Sequence, residues 1–171
     1  MERTSSFAKQ NVISEVMNNK QNFVDLDNAR VDEQRQVMRE IEDADHCPFC
    51  AENLAKYHHE SILKTGKYWL VTKNQWPYPH TKHHFLIISQ THVNKLSELD
   101  PEAGKELIKL SAWIEQEFKI PGGGLVLRFG DTNYSAGTVH HLHAQIIEPD
   151  IHHPEFDEKP VKVKIGKTKK N

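Results

Sequence analysis

The segment from Val139 to Ile147, VHHLHAQII, places the tightest constraint on the fold of this chain. Successive side chains of a β-strand point to opposite faces of the sheet. The spacing therefore predicts a strand with a polar face, formed by His141, His143 and Gln145, and an apolar core face, formed by Leu142, Ala144 and Ile146. An ordinary half-buried strand with a solvated polar face is the alternative interpretation.

The rest of the chain predicts an α+β fold. Apolar residues at helical spacing predict a helix over residues 28–43, and Asp100-Pro101-Glu102 starts a longer helix that ends near Phe118. Aromatic and β-branched residues predict strands at 67–73, 83–89, 125–129 and 139–147, with an edge strand at 161–165. We expect an antiparallel sheet of about five strands, packed with one long helix and an N-terminal helix.

Composition limits the class of protein. The chain has 171 residues, 37% of them hydrophobic, enough for one core. We divide it into a polar arm (1–27), a catalytic domain (28–150) and a basic tail (151–171). The formal net charge of −2 argues against a general nucleic-acid binder. The sequence has no apolar run long enough to span a bilayer and no signal-peptide core, so we expect a soluble, cytoplasmic protein.

The polar row on the 139–147 strand suits phosphoryl chemistry. A neutral imidazole nitrogen is a good nucleophile near pH 7, and it forms a labile bond with phosphorus. The preceding loop, residues 135–138, offers backbone N–H groups and hydroxyls to phosphate oxygens. Thr138 belongs to this loop, although a routine strand-start role is equally consistent with its position. Gln145 can donate a hydrogen bond but cannot act as an acid.

These residues resemble the histidine triad superfamily. Thr138 stands three residues before the first histidine of the motif H-φ-H-φ-Q-φ-φ, which runs from His141 to Ile147. A second match lies upstream in LVTKNQWPYPHTKHHFLIISQTHVNKLSELD, where an Asn precedes a proline loop, a histidine-led strand and a further histidine. Together the matching parts cover roughly residues 46–150.

The resemblance implies a function. The motif ends in Gln145, as it often does in dinucleoside tetraphosphate phosphorylases and galactose-1-phosphate uridylyltransferase. That branch implies a nucleotidyl transferase or phosphorylase in which His143 forms a nucleotidyl-histidine, while Gln145 steadies the phosphoryl oxygens. A nucleotide hydrolase and a zinc-stabilised, non-catalytic nucleotide-binding adaptor are the alternatives. The resemblance also implies a homodimer with a nucleotide substrate.

The two cysteines predict a metal or redox site. Cys47 and Cys50 form a CxxC pair, which commonly supplies two thiolate ligands to zinc. Zinc prefers four ligands in total. The resemblance supplies His92 and His141 as the other two, which would close a structural zinc site and leave His143 free. His46 competes as a ligand by proximity, and two reduced cysteines without metal are the alternative.

Candidate substrate-binding residues surround the motif. The resemblance places Asn74 near a nucleotide ribose, and a turn role before Pro77 is the alternative. The family position of an Asn is Gly130 here, so Arg128 and Asn133 are the nearest candidates. Gly137, the His83–His84 pair, Lys82 and His80 are further candidates, and Trp76 and Tyr78 could stack on a base.

We interpret His58, His59, His152 and His153 as surface residues. The lysine-rich segment 159–171 is read as a solvated end, with polyphosphate or RNA contact as the alternative.

Overall fold

The structure is a computed structural model that describes residues 22–167. Residues 1–21 of the predicted arm and residues 168–171 of the predicted tail lie outside the described residues. The helices and strands are α1 (Asp32–Ala44), α2 (Ala51–Tyr57), β1 (Ile62–Thr65), β2 (Trp69–Lys73), β3 (Thr81–Ser89), α3 (Pro101–Glu117), β4 (Gly124–Arg128), α4 (Thr132–Ser135) and β5 (His143–Pro149). Short 3₁₀ turns occupy Leu26–Asn28 and Leu96–Glu98. Between residues 22 and 167, no helix is both long and apolar enough to cross a membrane.

The five strands form one antiparallel sheet in the order β1-β2-β3-β5-β4, which confirms the predicted α+β fold. The register of β5 fixes the site. His143 pairs with Ile88 of β3 on one side and with Arg128 of β4 on the other. Gln145 pairs with Leu86 of β3 in the same way. Because neighbouring strands are in register, these side chains form rows across one face of the sheet.

Helix α3 covers the opposite face. Asp100 caps it by accepting a hydrogen bond from the Glu102 N–H at 2.9 Å, and Pro101 occupies its first turn, as predicted. The stripe at helical spacing packs on the apolar rows of the sheet, including Ala144 and Ile146 of β5. The core comprises Trp69, Val71, Phe85, Ile87, Ala103, Leu107, Leu110, Ile114, Ile120, Leu142, Ala144 and Ile146. The apolar positions of the β5 motif therefore face this core.

The face that carries His143 and Gln145 is covered by α1, α2 and the segment 22–30. Leu54 of α2 packs on Leu86 and Ile88 of β3. The segment 22–30 is tied to the loop before β5, because Val24 forms a β-bridge with Val139 and the Asp25 N–H donates to the Thr138 carbonyl at 2.8 Å. A second cluster contains Val24, Met38, Ile41, Tyr57 and Val139. This cover leaves a cleft over the polar row.

Two sequence-based expectations about secondary structure were wrong, and short elements were missed. Residues 161–165 alternate as predicted but form no strand, because the Lys164 carbonyl accepts a hydrogen bond from the Arg128 side chain instead of joining a ladder. The last strand begins at His143 rather than at Val139, since Val139 bridges to Val24 and the Leu142 N–H donates to the Val93 carbonyl. The short elements α2 and β1 were not predicted.

Candidate active site

His143 is buried at the start of β5 and lines the cleft. Its Nδ1 lies 2.8 Å from the carbonyl oxygen of His141. A carbonyl oxygen can only accept a hydrogen bond, so Nδ1 carries the proton and donates it. The neutral ring therefore keeps its lone pair on Nε2. The ring of Phe49 meets the imidazole edge-on, with the ring centroids 5.2 Å apart, which holds the ring in place.

The surroundings of His143 favour its neutral form. Burial is the main cause that lowers its pKa, and the positive charge of Arg128 lowers it further, while the hydrogen bond to the His141 carbonyl acts in the opposite direction. Arg128 is the cross-strand neighbour of His143 in the β4–β5 pair. The ring is thus a neutral base with an available nitrogen at neutral pH.

Gln145 is oriented by His84, which lies behind it. The Tyr78 N–H donates to Nδ1 of His84 at 3.1 Å, so the proton of the neutral ring is on Nε2. That Nε2 lies 3.1 Å from Oε1 of Gln145 and donates to it. Burial lowers the pKa of His84 to about 4 and maintains this neutral tautomer. With its oxygen bound to His84, Gln145 presents its amide NH₂ to a ligand in the cleft.

Asn74, Gly137 and Thr138 line the same cleft. The Asn74 Oδ1 accepts from the Trp76 N–H at 2.9 Å, so Asn74 stabilises the turn of the proline loop. Gly137 and Thr138 hold the N-terminal segment. The Asn28 side chain donates to the Gly137 carbonyl at 2.9 Å, and the Thr138 hydroxyl donates to the Asn28 carbonyl at 3.4 Å.

The cleft has a volume of about 380 Å³, within the range of small-molecule sites. Apolar and aromatic residues make up much of its lining: Met38, Ile41, Phe49, Tyr57, Trp76, Tyr78 and Leu86. Four cationic side chains also line it: Arg30, Arg128, Lys162 and Lys164. The guanidinium of Arg30 stacks 4.0 Å above the ring of Tyr78. A ligand with an aromatic part and an anionic part would match this lining.

The structure brings together the four residues of the predicted metal site. The ligand atoms of Cys47, Cys50, His92 and His141 all lie within 4.8 Å of one another. Sγ of Cys47 is 3.3 Å from Nδ1 of His141, and Sγ of Cys50 is 3.4 Å from Nδ1 of His92. Tetrahedral zinc with ordinary bond lengths separates sulfur and nitrogen ligands by about 3.6 Å. The cluster thus fits a four-coordinate zinc ion.

The surroundings of the cluster support metal binding. Nε2 of His141 donates a hydrogen bond to the Ser89 carbonyl at 2.7 Å. The unprotonated Nδ1 is then available as a metal ligand. Burial lowers the pKa of His141 to about 4 and raises the pKa of the Cys47 thiol to about 12. A metal ion would release the thiol proton. The competing candidate His46 bonds elsewhere, with its Nε2 2.8 Å from the Tyr57 hydroxyl.

Several other candidates lie away from the cleft. The Asn133 amide donates to Asp131 at 2.9 Å, and Asn133 does not line the cleft. Three further candidates are bound elsewhere: Lys82 and His83 to Glu148, and His80 to His153. His58, expected at the surface, is instead buried in the lining of the cleft, with its Nε2 2.8 Å from the Thr72 hydroxyl.

Arg30 is a cleft residue that the sequence did not reveal. It lies just before α1, and its guanidinium donates to the Trp76 carbonyl. Both of its aromatic neighbours, Trp76 and Tyr78, lie more than 40 residues away along the chain. No local spacing or motif signals such a contact.

Solved structures of histidine triad proteins resemble this chain. A zinc-bound histidine triad family protein from Mycobacterium smegmatis has 21% identity and a TM-score of 0.49, covering 63% of this chain and 78% of its own. A hypothetical histidine triad nucleotide-binding protein from Sulfolobus tokodaii has 25% identity and a TM-score of 0.47, covering 60% and 68%. Diadenosine triphosphate hydrolase from Plasmodium falciparum has 24% identity and a TM-score of 0.44, covering 53% and 61%.

The sequence match is decisive for the family. No curated protein matches the chain. The pattern of the HIT domain, however, matches residues 58–152, more than half of the chain. The matched region includes β2, β3, α3, β4, β5 and the whole H-φ-H-φ-Q motif. The chain belongs to the HIT domain family.

Proposed function

We propose that the protein transfers a nucleotidyl group from a nucleoside polyphosphate, such as a dinucleoside tetraphosphate, through a covalent nucleotidyl-histidine on His143. The observation that carries this proposal is the bond from His143 Nδ1 to the His141 carbonyl, which leaves Nε2 with its lone pair beside the cleft. Nε2 forms a bond to the α-phosphorus, and the P–O bond to the rest of the phosphate chain breaks. The leaving phosphate takes the electron pair of that bond.

The proton of His143 does not move in this step. Nδ1 keeps it, and the His141 carbonyl stabilises the positive charge that develops on the ring. An acceptor with its own nucleophilic oxygen then attacks phosphorus, and the P–N bond breaks to return the lone pair to Nε2. The cycle thus restores the starting tautomer.

Gln145 supports the choice of a transferase over a hydrolase. Its amide NH₂, oriented by His84, can donate to a non-bridging phosphoryl oxygen. A single donor of this kind contributes about 10²–10³ in kcat in other enzymes. Because an amide cannot take a proton from water, an acceptor that is already anionic, such as inorganic phosphate, is favoured. Gln145→Ala should therefore lower kcat by about that factor.

The nucleoside half of the substrate has a matching environment. Trp76 provides aromatic surface, and the amide of Asn74 also lines the cleft. Aromatic faces stack on bases, and an amide can bond ribose hydroxyls. The CxxC cysteines, His92 and His141 would hold a zinc ion whose role is structural, since four protein ligands leave no open position.

The activity is tested by incubating the protein with several dinucleoside polyphosphates, with and without inorganic phosphate, and identifying the products by mass spectrometry. From a dinucleoside tetraphosphate, a phosphorylase of this kind releases a nucleoside diphosphate only when phosphate is present. Identical products without phosphate would identify a hydrolase. His143→Asn should abolish turnover, and the exposed His59→Asn serves as the matched control. Nucleotide binding without any turnover would identify an adaptor.

We also propose a homodimer. Strand β4 is at an edge of the sheet, and exposed apolar side chains lie there and on α3, with Leu125 44% and Ile108 59% exposed. An unpaired edge beside apolar surface is suited to association with a second copy. Light scattering should give twice the chain mass, and Leu125→Asp should reduce it. A monomeric mass for the unmodified protein would refute this.

A further inference from the structure

We propose that Lys162 and Lys164, together with Arg30, bind the phosphates beyond the α-phosphate, so that residues 161–167 form a strap that selects polyphosphate substrates. This inference rests on the proposed function and names its substrate class: a nucleotide with a chain of three or more phosphates. The two lysines belong to the segment that the sequence identifies as a solvated basic end. Both nevertheless line the cleft that contains His143.

The strap is held in place at three points. The buried guanidinium of Arg128 donates to the Lys164 carbonyl at 2.7 Å. The Lys167 N–H donates to the Asn133 carbonyl at 2.8 Å. The Lys167 ammonium bridges Asp25 at 3.0 Å and Asp27 at 2.9 Å, and so ties the strap to the N-terminal segment. The backbone of residues 161–167 is therefore fixed across the cleft.

The strap divides its side chains between two environments. Val161 and Val163 are half-buried, whereas Lys162 and Lys164 are exposed at positions that line the cleft. Because both lysines line the cleft while Val161 and Val163 are more buried, the two lysines lie on the same side of the strap. The alternation that suggested an edge strand thus serves to present two ammonium groups.

In the part of the chain that the structure describes, positive charges outnumber carboxylates in the lining of the cleft. Among the described residues, its lining holds four cations and one carboxylate, Asp27, which is itself bound to Lys167. Arg30 and Arg128 are close enough that the charge of Arg128 lowers the pKa of Arg30, in addition to the larger effect of burial. Cations converging in a partly buried cleft repel one another, and a polyanion would relieve that repulsion.

The number of cations favours several phosphates over one. His143, Gln145 and Arg128 lie in neighbouring rows of the sheet and suffice for the reacting phosphate. Arg30 and the two strap lysines are additional to that set. An RNA strand could also use basic side chains, but it requires an extended basic surface. These lysines instead line a cavity of about 380 Å³.

The test is a binding series on the full chain carrying His143→Asn, so that turnover does not interfere. Calorimetry measures the affinity for AMP, ADP, ATP and inorganic tripolyphosphate. We expect affinity to rise from AMP to ATP by about tenfold or more. Adding Lys162→Gln and Lys164→Gln should remove most of that rise, by about threefold for each lysine, the scale of an exposed ion pair. Tripolyphosphate should lose affinity by the same factor, which makes the result independent of the base.

The matched control is Lys159→Gln. Lys159 is on the same tail and is paired with Glu155 at 3.0 Å, but it does not line the cleft. The strap is refuted if the double variant keeps the rise, if AMP and ATP lose affinity equally, or if Lys159→Gln has the same effect. Tighter binding of single-stranded RNA than of ATP would also overturn it.

Turnover of the unmodified enzyme, measured in parallel, separates the two proposals. Turnover combined with equal affinities for AMP and ATP refutes the strap alone. A rise in affinity that the lysine variants remove, without any turnover, refutes the proposed function alone. Thermal melts confirm that each variant is folded, which is expected because both lysines are exposed.

Discussion

The buried His84 should make the protein sensitive to acid. Its pKa falls from the ordinary 6.5 to about 4, chiefly through burial. Between those two values the unfolded chain binds a proton that the folded chain does not, so stability is lost as the pH falls below 6.5. From pH 7.5 to pH 5, one such group costs about 2 kcal/mol of unfolding free energy. In a protein of this size, that lowers Tm by about 4–8 °C.

The contribution of His84 can be isolated with His84→Gln, which keeps an amide donor for Gln145 but does not titrate. Thermal melts of both proteins at pH 7.5 and pH 5 give two losses in Tm. The other histidines and any bound zinc respond in both proteins, so they cancel in the difference. We expect His84→Gln to melt lower at pH 7.5 but to lose about 4–8 °C less on acidification. Equal losses in the two proteins would refute the reasoning.

Two further predictions concern the metal cluster and a close backbone approach. The purified protein should contain one zinc ion per chain by elemental analysis. Chelation or Cys50→Ser should lower Tm by about 8–16 °C, corresponding to ~4 kcal/mol for zinc at a thousandfold excess over Kd; an unchanged Tm would contradict a structural zinc. A Cβ at Gly123 would lie 2.3 Å from the Ile147 carbonyl oxygen, so Gly123→Ala should cost about 1–3 kcal/mol in urea unfolding. Gly122 has open space, and Gly122→Ala should stay within about 0.5 kcal/mol; equal losses would contradict the contact.

Local patterns were sufficient to predict most of the sheet. The period-two row of β5 placed His143 and Gln145 on one face and Ala144 and Ile146 on the other, and the structure confirms both. The Asp100 cap and the apolar stripe of α3 were also predicted correctly. These features follow from spacings of a few residues, which a sequence shows directly. The CxxC spacing indicated the cysteine ligands of the metal cluster, whereas the histidine ligands came from family resemblance, because His92 and His141 are far apart in the chain.

What could not be predicted depends on contacts between distant parts of the chain. His84 was expected to contact substrate, but it lies behind Gln145 and orients it through a contact 61 residues away. The sequence predicts that the strap lysines belong to a solvated end, since nothing near Lys164 in the sequence indicates that Arg128 holds its carbonyl. In each case the partner of the residue is chosen by tertiary packing, which local propensity does not encode.

In the proposed mechanism, the unprotonated Nε2 of His143 attacks phosphorus. This step is tested most directly by rapid acid-free quenching of the enzyme with a nucleoside polyphosphate labelled at the α-phosphate, followed by mass spectrometry of the peptides. We expect a nucleotidyl adduct on the peptide that contains His143. The adduct should be stable in base, labile in acid, and absent from His143→Asn. Turnover without any such adduct, or an adduct on another residue, would contradict it.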